Sequence, residues 1–408
     1  MELARNAESP LKTVREMPQF PMKFGAQTDQ EYLETCRGIS PVMRDRYGCI
    51  TTFSMANLLL LLDDRFSRQV ELEGLQASGV KDGPAYDFVR RVLLFSNGQT
   101  HRTRRGPLTR TFAQPLMRAL RPQVAARVDT MVSDMVRQGQ ADFIDALAGP
   151  LPAATIASII GAPEEDSLQF SNWAYAASKG MGICTAEERK RADVALVELT
   201  DYIEALLARR RARPEEDFLT SYLDKVEGGP MDADEIRTQI VGLVIAGSDT
   251  TRGSLTATVS HLMQNRDQWD LLVADPETHA PGAVSEGLRF DPIIGSLARI
   301  TVEDIELEGY AIPKGRLVTP SMIAALRDPA VYADPNRFDI TRTDHPRHHA
   351  VFGGGPHRCL GEVLARIELE EALKSLARKA PDLRVDGKPG ALSGFSATRM
   401  VKSMNVTI

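Results

Sequence analysis

Apolar residues recur every three to four positions, between charges, in four long stretches: Arg118–Arg137, Ala186–Arg210, Asp234–Gln264 and Glu362–Lys379. That period is the helical one, and each stretch is predicted to be a helix with a buried face. Alternation with period two is concentrated in Ala298–Thr319, where Ile300, Val302, Ile305 and Leu307 precede a turn signal at Ile312-Pro313-Lys314-Gly315. Met404–Ile408 and the pair Ala350-Val351 are further short strand candidates. The pattern predicts a mainly α protein with a small β-rich lobe. Glu227–Pro230 and Lys388–Gly390 are loops between elements, and no linker is long or polar enough to divide the chain. A single domain over residues 1–408 is expected, with 1–20 as a flexible N-terminal segment.

One of these helices has a damaged middle. Asp232-Ala-Asp-Glu235 has the form of a capping box, and a helix starting there can run to Gln264, roughly 48 Å at 1.5 Å per residue. Ile240–Ala246 is apolar on every side, so the helix should cross the core. It then meets Gly247, Ser248, Asp249, Thr250 and Thr251, although glycine costs about 1 kcal/mol against alanine in a helix interior. Close helix packing accounts for Gly247, and a hydroxyl bonded back to a carbonyl one turn earlier accounts for Thr251. Neither accounts for a buried acid, which is expensive unless paired. An Asp249–Thr250 pair is what proton delivery into a dry cavity would use; a packing role stands beside it.

A second unusual segment is Phe352-Gly-Gly-Gly-Pro-His-Arg-Cys359-Leu-Gly361, just before the helix that begins near Glu362. Its glycines permit positive φ and close approach to a flat ligand. Cys359 sits by a helix N-terminus with Arg358 alongside, a setting that favours a thiolate. Cys36, Cys49 and Cys184 are scattered, with no C-x-x-C, and read as small buried hydrophobes. Zinc has to be weighed because His345, His348, His349 and His357 are near, but paired cysteine ligands are missing. The histidines are expected on an exposed loop, with Asp344, Pro346 and Arg347.

Composition narrows the class. Hydrophobic residues make up 43% and charged residues 25%, which supports a large core, and the net charge of −6 argues against a wholly basic nucleic-acid binder. Leu58–Leu62 is the strongest apolar run and stops at Asp63, far short of the ~18 residues a membrane span needs. Met1–Phe20 does not have the pattern of a signal peptide, so a cytoplasmic protein is expected. Against the acidic background, His101–Arg121 holds Arg102, Arg104, Arg105, Arg110, Arg118 and Arg121 and no acid. A solvated helix face, a nucleic-acid patch and a partner-docking surface all fit that run.

Together these segments resemble the cytochrome P450 family, in its soluble bacterial form. The cysteine stretch matches F-x-x-G-x-[HR]-x-C-x-G at Phe352, Gly355, His357, Cys359 and Gly361. Ala246–Thr251 matches [AG]-G-x-[DE]-T-[TS], and Glu286-Gly-Leu-Arg289 matches E-x-x-R. Pro335-Asn-Arg337-Phe338 offers an arginine to complete a Glu286–Arg289–Arg337 network that braces the cysteine loop. The likeness extends from about Ile39 to the C-terminus. It implies a triangular helical prism, haem b as cofactor, and insertion of one oxygen atom of O2 into a hydrophobic small organic substrate by hydroxylation or oxidative demethylation.

The resemblance assigns roles residue by residue. Cys359 becomes the iron ligand, Thr250 the hydroxyl that supports activated oxygen, and Asp249 the proton relay. Ala246 and Gly247 leave room for oxygen, while Phe352 and Gly361 belong to the haem-binding loop. His101, Arg105, Arg299 and His357 are expected at the haem propionates. Val80, Phe88, Leu243, Val244, Ile294, Leu297 and Phe395 are expected to line the substrate pocket, together with the Trp173–Met181 region. No reductase domain is expected within this length, so electrons would come from an acidic ferredoxin with its reductase, docking on the basic segment. A monomer that binds no nucleic acid is expected. A haem-thiolate peroxygenase or isomerase, or a non-catalytic haem protein of the same fold, remains the alternative. Three positions depart from the family's usual pattern: Asn97-Gly98-Gln99 for Asp-Pro-Pro, Leu326 where Asn is common, and Arg399-Met-Val for Arg-Gly-Leu.

Overall fold

The computed structural model describes residues 11–23, 27–181, 184–395, 398–399, 401 and 403–408. The first part of the chain forms α1 (Asp29–Ile39), α2 (Met55–Leu61), α3 (Glu73–Ala77), α4 (Pro84–Arg91), α5 (Gly98–Thr111) and α6 (Gln114–Ala119). The middle forms α7 (Arg121–Gln138), α8 (Pro150–Ile159), α9 (Ser167–Gly180), α10 (Ala186–Ala212), α11 (Phe218–Val226) and α12 (Ala233–Gln264). The last part adds α13 (Arg266–Ala274), α14 (Pro276–Phe290), α15 (Met322–Ala325) and α16 (Glu362–Lys379). The strands are β1 (Lys12–Thr13), β2 (Val42–Arg44), β3 (Ile50–Thr52), β4 (Ser67–Gln69), β5 (Gln140–Asp142) and β6 (Arg299–Thr301), then β7 (Ile305–Leu307), β8 (Tyr310–Ile312), β9 (Leu317–Pro320), β10 (Arg384–Val385) and β11 (Asn405–Thr407). They form a five-stranded sheet in the order β2-β3-β9-β6-β4 and two three-stranded sheets, β1-β8-β7 and β10-β11-β5.

The helical periods predict α10, α12 and α16 to within two residues at each end. The stretch Arg118–Arg137 instead divides at Leu120, where α6 stops and α7 begins with Pro122 in its first turn. Proline has no N–H and its ring clashes with the carbonyl four residues earlier, so it starts a helix more readily than it continues one. The alternating segment is four short strands, β6 to β9, and the chain end supplies β11 as expected. Ala350-Val351 is not a strand. Residues Ala350–Phe352 form a 3-10 turn, capped where His349 Nδ1 accepts the Val351 N–H at 3.3 Å.

The capping box of α12 is present: the Asp232 carboxylate accepts the Glu235 N–H at 2.7 Å, and Glu235 reaches back to the Asp232 N–H at 3.4 Å. The helix then passes between two apolar clusters. Ile236, Ile240, Val244 and Ile245 pack into one with α4, α10 and α11, while Leu255, Val259 and Leu262 pack into the other with α7, α14 and α16. Residues 246–251, small or polar, fall at the seam. Gly247 packs so closely on α8 that a Cβ there would sit 2.8 Å from Ile156 Cδ1. No helix among the described residues is long and apolar enough to cross a membrane.

Candidate active site

The cysteine loop is shaped by local bonds. The Cys359 N–H donates to Phe352 O at 2.8 Å, closing the loop just ahead of α16. Gly355 has φ +58°, and a Cβ there would lie 2.7 Å from Leu62 O, so both conformation and space require glycine. The loop is tied to α14 from two sides. Ser285 O lies 3.0 Å from His349 Nε2, and the Ser285 hydroxyl accepts from Arg366, whose guanidinium lies over the Phe352 ring. Cys359 remains accessible although protein surrounds it densely.

Electrostatics in this loop differ from the expectation. Burial pushes the Cys359 thiol up, and this outweighs the lowering by the Gly361 N–H, Arg105 and Arg358; Glu362 adds to the rise. Arg358 is largely committed elsewhere, to Glu362 at 2.5 Å and to Gly353 O. A bound metal cation opposes this rise, because coordination deprotonates a thiol outright.

Next to this loop stands a pair of imidazoles. The rings of His101, on α5, and His357 lie 4.1 Å apart, and both Nε2 atoms are buried without a hydrogen-bond partner. Burial, then Arg105, lowers His101 to about 4; burial, then His101, lowers His357 to about 4. Arg105 donates to Arg358 O at 2.6 Å. Pairing of β4 with β6 brings in Arg299, which is buried and bonds Asp64 at 2.8 Å and the Ser67 carbonyl at 2.6 Å. Asp64 acts on both imidazoles, and sequence reasoning missed it as the acid in this basic cluster. The structure thus gathers His101, Arg105, Arg299 and His357 in one place. Two unpartnered buried ring nitrogens among guanidinium groups fit carboxylates brought by a ligand.

On α12, Leu243, Ala246, Gly247 and Thr250 form an accessible stripe at three- and four-residue spacing, between the buried Val244, Ile245, Ser248 and Asp249. Ala246 is exposed in the middle of a core helix, which fits a flat ligand lying along that face. The Thr250 hydroxyl donates to Ala246 O at 2.9 Å, so the back-bond expected at Thr251 is made here by its neighbour. Asp249 accepts from Arg252 Nη2 at 2.6 Å through Oδ1, while its buried Oδ2 has no partner. Burial raises its pKa and Arg252 opposes the rise.

Thr251 turns the other way, toward Glu368 on α16, a second buried acid that sequence reasoning missed. Burial raises Glu368 to about 8, against hydrogen bonds with Thr155 and Thr251 and the charge of Arg127. Its sequence signal was a glutamate four residues after Leu364, on the apolar face of α16.

The bracing network needs a correction. Glu286 and Arg289 are fully buried and doubly bonded, at 2.7 and 2.8 Å. The third member is Arg342, 3.4 Å from Glu286, and not Arg337. The Arg337 side chain is 62% exposed and approaches only Asp339, at 4.0 Å; its carbonyl alone joins the network, accepting from Arg289. A turn at Asp334–Arg337 points that side chain outward, and the chain meets Glu286 beyond it, at the Asp339 N–H and the Arg342 guanidinium. Of the histidines expected on an exposed loop, His348 is exposed, but His349 is buried and His345 is half-buried, 3.8 Å from Glu286.

The expected pocket residues divide. Val80, Phe88, Leu243 and Val244 share one apolar cluster with Trp173, Met181 and Leu360, the residue after Cys359. Val244 is completely enclosed, which makes it packing and not lining. Leu297 packs with Leu58 and Leu62, and Ile294 with Ile293 and Leu392. Phe395 lies apart, its ring against Tyr32 and beneath Lys23. Ser396 and Ala397 of that last loop, and Met400, lie outside the described residues. Arg399 anchors what is described: it is buried and bonds Asp291, Pro292 O, Leu392 O and Gly394 O.

What an exposed cysteine beside an arginine-flanked, half-satisfied histidine pair can hold is a planar metal complex bearing carboxylates, and the class so defined is that of haem-thiolate proteins. The relatives agree. The family model for Cytochrome P450 matches residues 280–379. A plant-inducible cytochrome P450, pinF1, of Rhizobium radiobacter is 37% identical over 90% of this chain and 87% of its own length. A steroid C26-monooxygenase of Mycobacterium tuberculosis is 31% identical over 86% of this chain and 91% of its own. The crystal structure of CalO2 superposes with a TM-score of 0.85 at 30% identity, covering 92% of this chain and 94% of that one. This chain belongs to the cytochrome P450 family: it is an oxidoreductase of the haem-thiolate monooxygenase type, and its cofactor is haem b.

Proposed function

We propose that the enzyme inserts one oxygen atom of O2 into a hydrophobic small organic molecule, by hydroxylation or oxidative demethylation, using electrons from an acidic ferredoxin. The observation that carries this reading is the accessible stripe of α12 ending at Thr250, with the buried acid Asp249 beside it. Cys359 would hold the haem, with His101, Arg105, Arg299 and His357 binding its propionates, and the haem when bound would supply oxygen activation. The remaining chemistry belongs to the chain. Asp249 passes protons inward from solvent, and the Thr250 hydroxyl, released from Ala246 O, holds them at the oxygen-binding face. Val80, Phe88, Leu243, Ile294 and Leu297 supply apolar walls and exclude water.

Thr250→Ala is expected to keep consuming electrons while forming less product per electron pair, and Asp249→Asn to lower kcat by about 100-fold or more. Product yield measured against reductant consumed decides it. Full coupling in Thr250→Ala contradicts the role given to Thr250, whereas product formed with no reductant consumed by the wild type favours peroxygenase or isomerase chemistry.

Docking rests on fewer arginines than the sequence counts. Arg104 is buried against Glu235 at 2.6 Å, and Arg121 is held by Glu370 and Glu371 at 2.7 and 2.5 Å. Arg102, Arg110 and Arg118 remain exposed with no ion pair among the described residues. Arg102, Arg105 and Arg110 line a surface depression of about 480 Å³ with Gly355 and Pro356 of the cysteine loop, a short path for electrons from an acidic partner. Turnover driven by a ferredoxin and its reductase is expected to slow as salt rises, and Arg102→Glu/Arg110→Glu to show the same slow rate already at low salt. A rate indifferent to both contradicts docking on this face.

A further inference from the structure

Where α4 ends, four residues in a row have backbone groups bound by side chains of other helices. Arg104, on α5, donates to Arg90 O at 3.3 Å and to Val92 O at 3.4 Å, and is itself held by the Glu235 carboxylate at 2.6 Å. Gln239, on α12, donates to Arg91 O at 2.8 Å and accepts the Leu93 N–H at 2.8 Å. The last carbonyls of a helix have no partner within it, and water is an ordinary one at a surface. Here two side chains take that place, and both are buried: Arg104 is 6% exposed and Gln239 1%. Arginine is seldom buried unless paired, so this is an expensive way to finish a helix.

Packing completes the joint. A Cβ at Gly242 would lie 2.6 Å from Val92 Cγ2 and 3.9 Å from Phe88 Cζ, so only glycine lets the end of α4 seat on α12. Glu235, Gln239, Gly242, Ala246 and Thr250 succeed one another at three- and four-residue intervals. The row of α12 that receives α4 is therefore the row that continues to Thr250. Phe88 stands one turn before Val92, whose N–H its carbonyl accepts at 2.9 Å, and shares an apolar cluster with Leu243 and Trp173.

We propose that Arg104 and Gln239 are positioning residues that set how much of α12 a substrate can cover, by fixing Phe88 and Val92 against Gly242. The inference rests on reading Phe88 and Leu243 as pocket walls. With that joint closed, the free length of α12 runs from Leu243 to Thr250, roughly 10 Å at 1.5 Å per residue. The pocket thus suits apolar molecules that are short along this axis and resists bulkier ones. Arg104 and Gln239 touch neither substrate nor haem in this assignment; they act through the backbone of residues 90–93.

Spectral titration of the haem-loaded protein with imidazole, 4-phenylimidazole and clotrimazole tests this, since all three offer a nitrogen to the iron and differ in bulk. In Gln239→Leu, which keeps the side-chain volume, relative affinity is expected to move at least about 10-fold from 4-phenylimidazole toward clotrimazole, with imidazole unchanged within about twofold. Arg104→Met is expected to move it the same way. Gly242→Ala leaves both polar side chains in place and is expected to act likewise, by pushing Val92 outward. Val92→Ala added to it is expected to restore the wild-type ratio. Arg342→Ala, which loosens the protein elsewhere, is expected to leave the ratio alone. A ratio unmoved in Gln239→Leu and in Gly242→Ala overturns the proposal, and so does an equal shift in Arg342→Ala. Phe88→Ala checks the foundation separately. If it leaves the ratio unchanged, the reading of Phe88 as a pocket wall fails; if it alone shifts the ratio, the wall stands and the positioning role fails.

Discussion

Glu286→Ala is expected to destabilise the protein by about 3–5 kcal/mol, because it leaves a buried guanidinium without its counter-charge. Both members of the Glu286–Arg289 pair are completely inaccessible. Arg289 also donates to Leu326 O and Pro335 O, and Glu286 accepts the Asp339 N–H at 2.9 Å. The pair therefore fastens the segment 326–339 to α14, and Ser285 on the same helix fastens the cysteine loop through His349 and Arg366. Loss of Glu286 should loosen both, so haem content falls together with the denaturation midpoint. Arg342→Ala is expected to reproduce part of this effect. Arg337→Ala is expected to stay within about 0.5 kcal/mol of wild type, as a substitution at an exposed position does. Urea unfolding followed by far-ultraviolet circular dichroism and by haem absorbance separates the three. A large effect at Arg337 and none at Arg342 would reverse the assignment made from the geometry.

That contrast marks where sequence reasoning works and where it stops. The α12 helix was legible because its signals are local: the capping box at Asp232–Glu235, an apolar run, and an acid where none should be buried. The cysteine loop was legible for the same reason, its glycines and histidine lying within eight residues of Cys359. Partners distant in the chain were not. Arg104 and Arg121 look available in a run without acids, yet Glu235 lies 131 positions away from the first and Glu370 249 from the second. Arg337 has the expected spacing from Glu286, but a local turn directs its side chain to solvent and delivers Arg342 instead. Glu368 shows itself only as a charge on an apolar helix face, a pattern that a solvated edge also produces. Phe395 was expected at the pocket from its position in the last loop, and only the packing of α1 shows Tyr32 taking its ring.

The second large effect concerns Cys359. Cys359→Ser is expected to abolish O2-dependent turnover while leaving the helical fold intact, since the loop is closed by the Cys359 backbone N–H and not by its side chain. Under the proposed assignment His101, Arg105, Arg299 and His357 would still hold haem in part through its propionates. What disappears is the sulfur, whose electron donation to iron favours O–O cleavage. His357→Ala, by contrast, is expected to weaken haem retention and leave the sulfur ligand in place. X-ray absorption at the iron edge of the purified, haem-loaded protein reads this directly. The proposed assignment predicts one sulfur neighbour at the iron in the wild type and none in Cys359→Ser; an iron bound only by nitrogen and oxygen in the wild type, or a sulfur that survives the substitution, would contradict it.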